Sequence, residues 1–362
     1  MKDELRIMRQ RLRTQSVTAP RFATVEDVVG WLGAVQSQEY ALAKWSIGQR
    51  MKRAGDDVVE RAVAEGRILR THVLRPTWHF VLPADIRWML ELTAPRVRTM
   101  MASYDRRLGL DGAVYAKSRA LVVQALEGGR HLTRAELSDA LAHGGLPARG
   151  QTLAHLLMRD ELDGVVCSGT PQRKQQTYAL LEERAPNARR LSRDEALAEL
   201  TLRYFASHGP ATLKDYRWWS SLPAPAAREA LESVRPRLEE VVISGHTFYF
   251  AGAPVAGRAS GEAHLLQGYD ELIVGYTESK GALDAAQKRS TIVLEPTPFT
   301  HAILYDAQLV GHWRPRAGVQ ETTIEVQLVR PFPRSARDAL KDAISRYAAF
   351  TGQAAVLRAG PR

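Results

Sequence analysis

The chain has 362 residues, 45% of them apolar, and a single cysteine, Cys167. That length accommodates two or three ordinary domains, the apolar content excludes a disordered chain, and one cysteine excludes an internal disulfide framework or a multi-cysteine zinc site. Lys and Arg exceed Asp and Glu by 50 − 40 = 10, which favours a polyanionic partner, usually nucleic acid, over a merely basic globular protein.

The N-terminal MKDELRIMRQRLRTQ lacks the apolar stretch of a signal peptide, and no later run approaches the roughly 20 apolar residues of a membrane span. A soluble, cytoplasmic protein with no membrane partner is expected. Next, Val25, Val28, Val29, Leu32 and Val35 recur at helical spacing, and Ala41, Trp45 and Gly48 begin a second apolar face. Between them lies Gln36-Ser37-Gln38. Residues two apart on one helix point about 200° apart, so a helix-to-helix turn is what lets both amides share a cleft.

Three segments repeat a threonine followed three residues later by a carboxylate and then an amphipathic run: Thr24 with Asp27, Thr133 with Glu136, and Thr212 with Asp215. Each reads as a capped helix start. Around the second and third, further helices and a hairpin follow, through VVCSGTPQRKQQTYAL and through VVISGHTFYF turning at Ser244-Gly245. Helix, helix, helix, hairpin is the order of a winged helix-turn-helix. RILRTHVLRPTWHFVLP is the candidate wing of a less regular first unit, in which VEDVVGWLGAV becomes the second helix and the helix from Glu39 the recognition-helix equivalent. The rival reading is an all-α bundle with incidental hairpins.

Beyond about residue 255 the chain turns β-rich, in HLLQGYDELIVGY, RSTIVL, THAILYDAQLVGHWRP and TTIEVQLVRPF, with a turn at Asp306-Ala307. The helix SARDALKDAISRYAAF and a last strand in GQAAVLRAGPR close it. The expected fold class is therefore α+β: three tandem winged helix-turn-helix units over 1–115, 116–190 and 191–254 and a β-rich domain over 255–362, together forming an open DNA-binding cleft.

There is no phosphate-binding glycine loop, no GxSxG and no HExxH. His264, Asp270, Glu271, His301, Asp306 and His312 lack tight ligand spacing, so neither a metal nor another cofactor is expected. Lys280, Lys288 and Arg289 form a basic patch as compatible with solvation as with function. Arg173, Lys174, Gln175 and Gln176 fall in the second wing, where phosphate contact is natural. Strand alternation puts Arg75, Thr77 and His79 on one face, with Arg70 nearby, to line the cleft as DNA contacts or as a structural hydrogen-bond network. Trp218 and Trp219 read as core.

LGAVQSQEYALAKWSIGQR, ILRTHVLRPTWHFV, LLQGYDELIVGY and ILYDAQLVGHWR, in that order, resemble the bacterial winged-helix DNA glycosylases of the AlkZ and YcaQ type. The resemblance covers most of the chain and implies three winged helices, a β-rich C-terminal part and a functional Q-x-Q pair, here Gln36 and Gln38. Because the second position is Gln rather than Asp, the chain is similar to the branch associated with bulky adducts and interstrand crosslinks. The implied activity is monofunctional hydrolysis of the N-glycosidic bond of N7-alkylated purines, crosslinks among them, on double-stranded DNA by a monomer. An amide is a poor general base, so such a pair suits cationic adducts that already leave readily. Glu39 is a carboxylate beside the motif, read either as a catalyst or as a first-turn residue favoured by the helix dipole. A winged-helix transcription regulator and a non-catalytic damaged-DNA-binding resistance protein stay open, and both predict that Gln36 and Gln38 are dispensable.

Overall fold

The computed structural model describes residues 2–173, 175–252, 260–284, 301–318, 320–329 and 334–359. Helix α1 (Lys2–Thr14) precedes α2 (Val25–Leu32), the two-residue strand β1 (Val35–Gln36), α3 (Tyr40–Gly48), α4 (Asp56–Ala64) and the hairpin β2 (Leu69–His72) and β3 (Trp78–Val81). Thr24 and Asp27 close a reciprocal capping box at the start of α2, which buries Val25, Val28, Val29 and Leu32 and ends at Gly33 with φ +80°. The three strands form a sheet in the order β1-β3-β2, antiparallel throughout.

The same order recurs. Helix α5 (Pro83–Arg107) leads to α6 (Gly112–Leu126), β4 (Leu132–Thr133), α7 (Arg134–His143), α8 (Gly150–Leu162), β5 (Val166–Ser168) and β6 (Thr177–Leu180), again with the first strand beside the last, β4-β6-β5. A single turn, α9 (Leu181–Arg184), precedes α10 (Arg193–His208), α11 (Leu213–Ser220), α12 (Ala224–Val234) and the hairpin β7 (Glu239–Ile243) and β8 (His246–Phe250). Here the first strand is reduced to one bridge between Ala211 and Tyr249.

All three threonines make capping boxes, with Asp27, Glu136 and Asp215. Their registers nevertheless differ from expectation. Thr133 and Thr212 cap the second helix of their units, whereas Thr24 caps the first of its own. VEDVVGWL is therefore a first helix, the segment from residue 40 is a second, and α4 takes the third place. Gln36 lies on a strand between helices, not in a bare turn.

The C-terminal part comprises β9 (Ala263–Leu266), the one-turn helix α13 (Glu271–Val274), β10 (His301–Tyr305), β11 (Gln308–Ala317), β12 (Glu321–Leu328), α14 (Arg334–Thr351) and β13 (Ala354–Ala359), which pairs parallel to β12. The sheet order is β13-β12-β11-β10-β9. Asp306 and Ala307, at φ +46° and +65°, make the expected turn. The segment DELIV, expected as strand, is helical because Asp270 accepts from the Leu272 N–H and caps it. RSTIVL, and with it Lys288 and Arg289, lies outside the described residues.

This sheet and α14 share one core with the first unit: Trp45 of α3 packs on Tyr347 and Phe350, and Trp313 packs on Tyr347. The two indoles donate to the carbonyls of Leu265 and Leu266 at 2.7 and 2.8 Å, so their polar edges are satisfied in the interior. Strand β9 and the loop after it are thereby fixed under the residues that follow β1. Among the described residues no helix is long and apolar enough to cross a membrane.

Candidate active site

Pairing of β1 with β3 sets Gln36 opposite His79, and cross-strand partners lie on the same face of a sheet. Gln36 is 4% exposed. Its Oε1 accepts from Arg75 Nη2 at 2.8 Å, and its backbone N–H donates to Glu271 Oε1 at 2.9 Å. Gln267 Nε2 reaches its carbonyl at 3.5 Å. A polar group buried this deeply needs its partners: Arg75 holds the side-chain oxygen, while Glu271 and Gln267 hold the backbone N–H and carbonyl of the same residue.

The partners are themselves held. Arg75 Nη1 also reaches the Val274 carbonyl, and its Nη2 sits 3.4 Å from His79 Nε2. Burial pushes the Arg75 guanidinium below its ordinary value, offset by nearby Glu271. His79 Nδ1 bonds the Thr77 carbonyl at 2.9 Å, which places its proton there and leaves Nε2 to accept from Arg75. Burial first, then Arg75, push the His79 pKa down to about 3, so the ring is neutral at pH 7. Glu271 accepts at Oε2 from Trp219 Nε1 at 2.9 Å and lies 3.2 Å from His208 Nε2. Burial alone raises its pKa, but His208, Arg75 and His79 outweigh it and hold the carboxyl at about 2. Asp270, beside it, takes Arg50 bidentately at 2.7 and 2.9 Å and Ser46 Oγ at 2.6 Å.

Ser37 extends the ladder by donating to the Trp78 carbonyl at 2.7 Å. The strand ends at Gln36, and Gln38 and Glu39 form a bend before α3. Arg70 holds Ser37 by its carbonyl, 3.0 Å from Nη2, and is stacked 4.3 Å above the Trp78 ring. Gln38, the next residue, is exposed to solvent. Glu39 follows at the N-cap of α3 without capping it, and reaches instead to His301 Nε2 on β10 at 3.5 Å.

Arg75 and His79 are thus gathered around Gln36, whereas Arg70 and His79 are too buried, at 9% and 0% exposure, to lie open in a cleft. Thr77 does not bond the glutamines by its side chain: its Oγ1 is buried without a partner, and only its carbonyl serves, on His79. Arg75 and Thr77 lie in tight turns ahead of β3 rather than alternating along it. Arg173 is exposed at the tip of the β5–β6 hairpin with φ +57°. The stem of that hairpin meets the first unit where Ser168 Oγ accepts from the Arg70 N–H at 2.8 Å. Lys174 lies outside the described residues. Trp219 is core as expected, but Trp218 is 51% exposed, its Nε1 donating to the same Val274 carbonyl that Arg75 reaches.

Sequence reasoning missed the role of Asp270 and Glu271. Their one signal is two adjacent carboxylates inside the apolar run LLQGYDELIVGY, where burial demands cationic or N–H partners. Among the described residues no three His, Cys, Asp or Glu side chains converge as metal ligands do.

A family model described as DNA glycosylase AlkZ-like matches residues 29–350. An interstrand DNA cross-link repair glycosylase from Streptomyces sahachiroi is 24% identical over 95% of this chain and 94% of its own. The solved structure of the Streptomyces sahachiroi DNA glycosylase AlkZ superposes with a TM-score of 0.80, covers 98% of each chain and is 22% identical. With the family match running from α2 to the end of α14, the chain belongs to the AlkZ-like family and is a DNA glycosylase.

Proposed function

We propose that this glycosylase hydrolyses the N-glycosidic bond of N7-alkylated purines in double-stranded DNA, with Gln36 and Gln38 as the catalytic pair and interstrand crosslinks among its substrates. The extension to crosslinks draws on the likeness to the Streptomyces sahachiroi interstrand DNA cross-link repair glycosylase. The observation that carries the proposal is the buried clamp on Gln36 by Arg75 and Glu271. Preorganised dipoles are what stabilise charge developing in a transition state.

Alkylation at N7 leaves the purine cationic, so the C1′–N9 bond breaks with its electron pair going to N9 and the sugar becomes electron-poor. Gln36 Oε1 has a second lone pair beyond the one Arg75 occupies. Glu271 neutralises Arg75, so an incoming sugar cation meets the amide oxygen rather than an uncompensated guanidinium. Gln38, exposed beside it, is free to contact water or DNA.

In this reading the three helix-helix-helix-hairpin units are winged helices, close to the divisions 1–115, 116–190 and 191–254, followed by the β-rich domain over 255–362. They present an open cleft rather than a deep base pocket, and the enzyme acts as a monomer. A base tied to the opposite strand cannot be extruded fully, which an open cleft tolerates and a closed pocket does not. Arg173 and Lys174 contact phosphate from the second hairpin. Arg70, Arg75, Thr77 and His79 act through Gln36 and Ser37 more than through DNA.

Single-turnover excision from a duplex carrying one N7-methylguanine, read as alkali-labile strand breaks, tests the assignment. Gln36→Ala and Gln38→Ala are each expected to lose about 10²-fold in rate, with duplex affinity retained. Wild-type rates in both variants, or no excision by the wild type on this or a bulkier N7 adduct, would sink it.

A further inference from the structure

Glutamine cannot take the proton that the attacking water must lose. Three carboxylates adjoin the motif by contact or in sequence: Glu271, which bonds the Gln36 N–H, Asp270 before it, and Glu39, which follows Gln38 directly. Asp270 and Glu271 are both 0% exposed. Both oxygens of each are engaged, with Arg50, Ser46 and the Leu272 N–H around Asp270, and Gln36, Trp219 and His208 around Glu271. Neither is reachable by solvent. Glu39 is the third, with 41% of its side chain exposed and one oxygen 3.5 Å from His301 Nε2.

Its placement is tied to that of Gln36. Gln267 donates to the Gln36 carbonyl, and the next residue, Gly268, donates its N–H to His301 Nδ1 at 3.0 Å. His301 and Gln36 thus hang from consecutive residues whose Cα atoms are about 3.8 Å apart. Because His301 Nδ1 accepts, the neutral ring carries its proton on Nε2, toward Glu39. Glu39 stands at the N-cap of α3, where the helix dipole also favours a carboxylate, yet its side chain makes no cap hydrogen bond there and reaches His301 instead.

We propose that Glu39 is the general base of the reaction, with His301 as the positioning residue that orients its carboxylate. The inference rests on the glycosylase reading above. Glu39 removes a proton from water as the water oxygen bonds C1′. The C1′–N9 pair passes to N9 and neutralises the alkylated purine, and the proton then leaves Glu39 for solvent. Burial raises the Glu39 pKa above its ordinary value, toward the range useful to a base. Burial first, then His312 and Arg314 of β11, hold His301 at about 4, hence neutral. Other charged groups near the motif are already committed: Arg70 to Ser37, and Lys44, a turn along α3, to Asp56 and Glu60.

The test is the single-turnover excision rate on the N7-methylguanine duplex across pH 5 to 8, with melting temperature and duplex affinity measured for every variant. Wild type should slow on the acid side with a one-proton limb. Glu39→Gln and Glu39→Ala should lose about 10²-fold or more and the limb with it, while melting and affinity stay put. His301→Ala should move the limb to higher pH, because the carboxylate loses a donor, and His301→Gln should restore it. Active wild type with Glu39→Gln as fast, or slowed with its limb intact, overturns the base assignment and leaves the glycosylase reading standing. Inactive wild type on this and on a bulkier N7 adduct brings down both.

Discussion

The first and second helical units place their first strand in the same way and use it differently. In the second unit β4 pairs with β6 so that Thr133 faces Thr177, and Thr133 then caps α7 directly, closing a box with Glu136. In the first unit the corresponding cross-strand pair is Gln36 and His79, and Ser37, Gln38 and Glu39 intervene before α3 begins without a side-chain cap. One unit spends the position on a local hydrogen bond that strengthens the helix start. The other gives up that bond and holds the segment from afar, by Glu271, Arg75 and Arg70. A local hydrogen bond has been exchanged for a polar residue held in a buried position by distant partners.

The sharpest way to break this arrangement is to remove the distant clamp. Glu271→Ala leaves the Gln36 N–H, the Trp219 N–H and His208 without their acceptor in a fully buried place and Arg75 without a compensating charge nearby, and breaking a buried pair from one side costs about 3–5 kcal/mol. Urea unfolding should show that loss, while Glu271→Gln, which keeps an acceptor, should lose less. If Glu271→Ala unfolds at the wild-type midpoint, the long-range clamp is not what holds the first unit.

How much of this was legible follows from the range of each interaction. The capping boxes and the hairpin turns at Ser244-Gly245 and Asp306-Ala307 are written in four or five adjacent residues, and all of them form. The register of the first unit was not legible. A capping box looks the same on a first helix as on a second, and β1, at two residues, is too short to show alternation. Trp218 and Trp219 diverge by about 100° on their helix, and only Trp219 is turned into the core. The Q-x-Q motif stood out from its flanking residues, yet its surroundings did not. Glu271 lies 235 positions from Gln36, and only the fold brings them together.

Acid sharpens the comparison, because His79 has the titratable ring where Thr177 has none. The folded pKa of His79 is about 3 against an ordinary 6.5, set by burial first and by Arg75 second. As pH falls through 6.5 the unfolded chain takes up the proton and the folded chain does not. Stability is therefore full above 6.5 and is lost by about 1.4 kcal/mol per pH unit down toward the folded value. His79→Gln keeps a donor for the Thr77 carbonyl and does not titrate, so its unfolding free energy should fall less steeply between pH 6.5 and 4. An unchanged slope would mean that His79 is protonated in the folded state.

The smallest effect belongs to the second unit and isolates what the first has given up. Thr133→Ala removes the hydroxyl that accepts from the Glu136 N–H and breaks the reciprocal box, which typically costs about 1 kcal/mol. Because Thr133 makes no contact with the glutamine cluster, the excision rate at a temperature well below melting should equal that of the wild type. The pair of readouts separates the two uses of one topological position: a loss of stability alone at Thr133, and a loss of activity with the fold intact at Gln38, whose exposed side chain makes little contribution to packing. Were Thr133→Ala to slow excision as well, the second unit would have to be transmitting its own stability to the site, and the contact of its hairpin with Arg70 through Ser168 would be the place to look for the coupling.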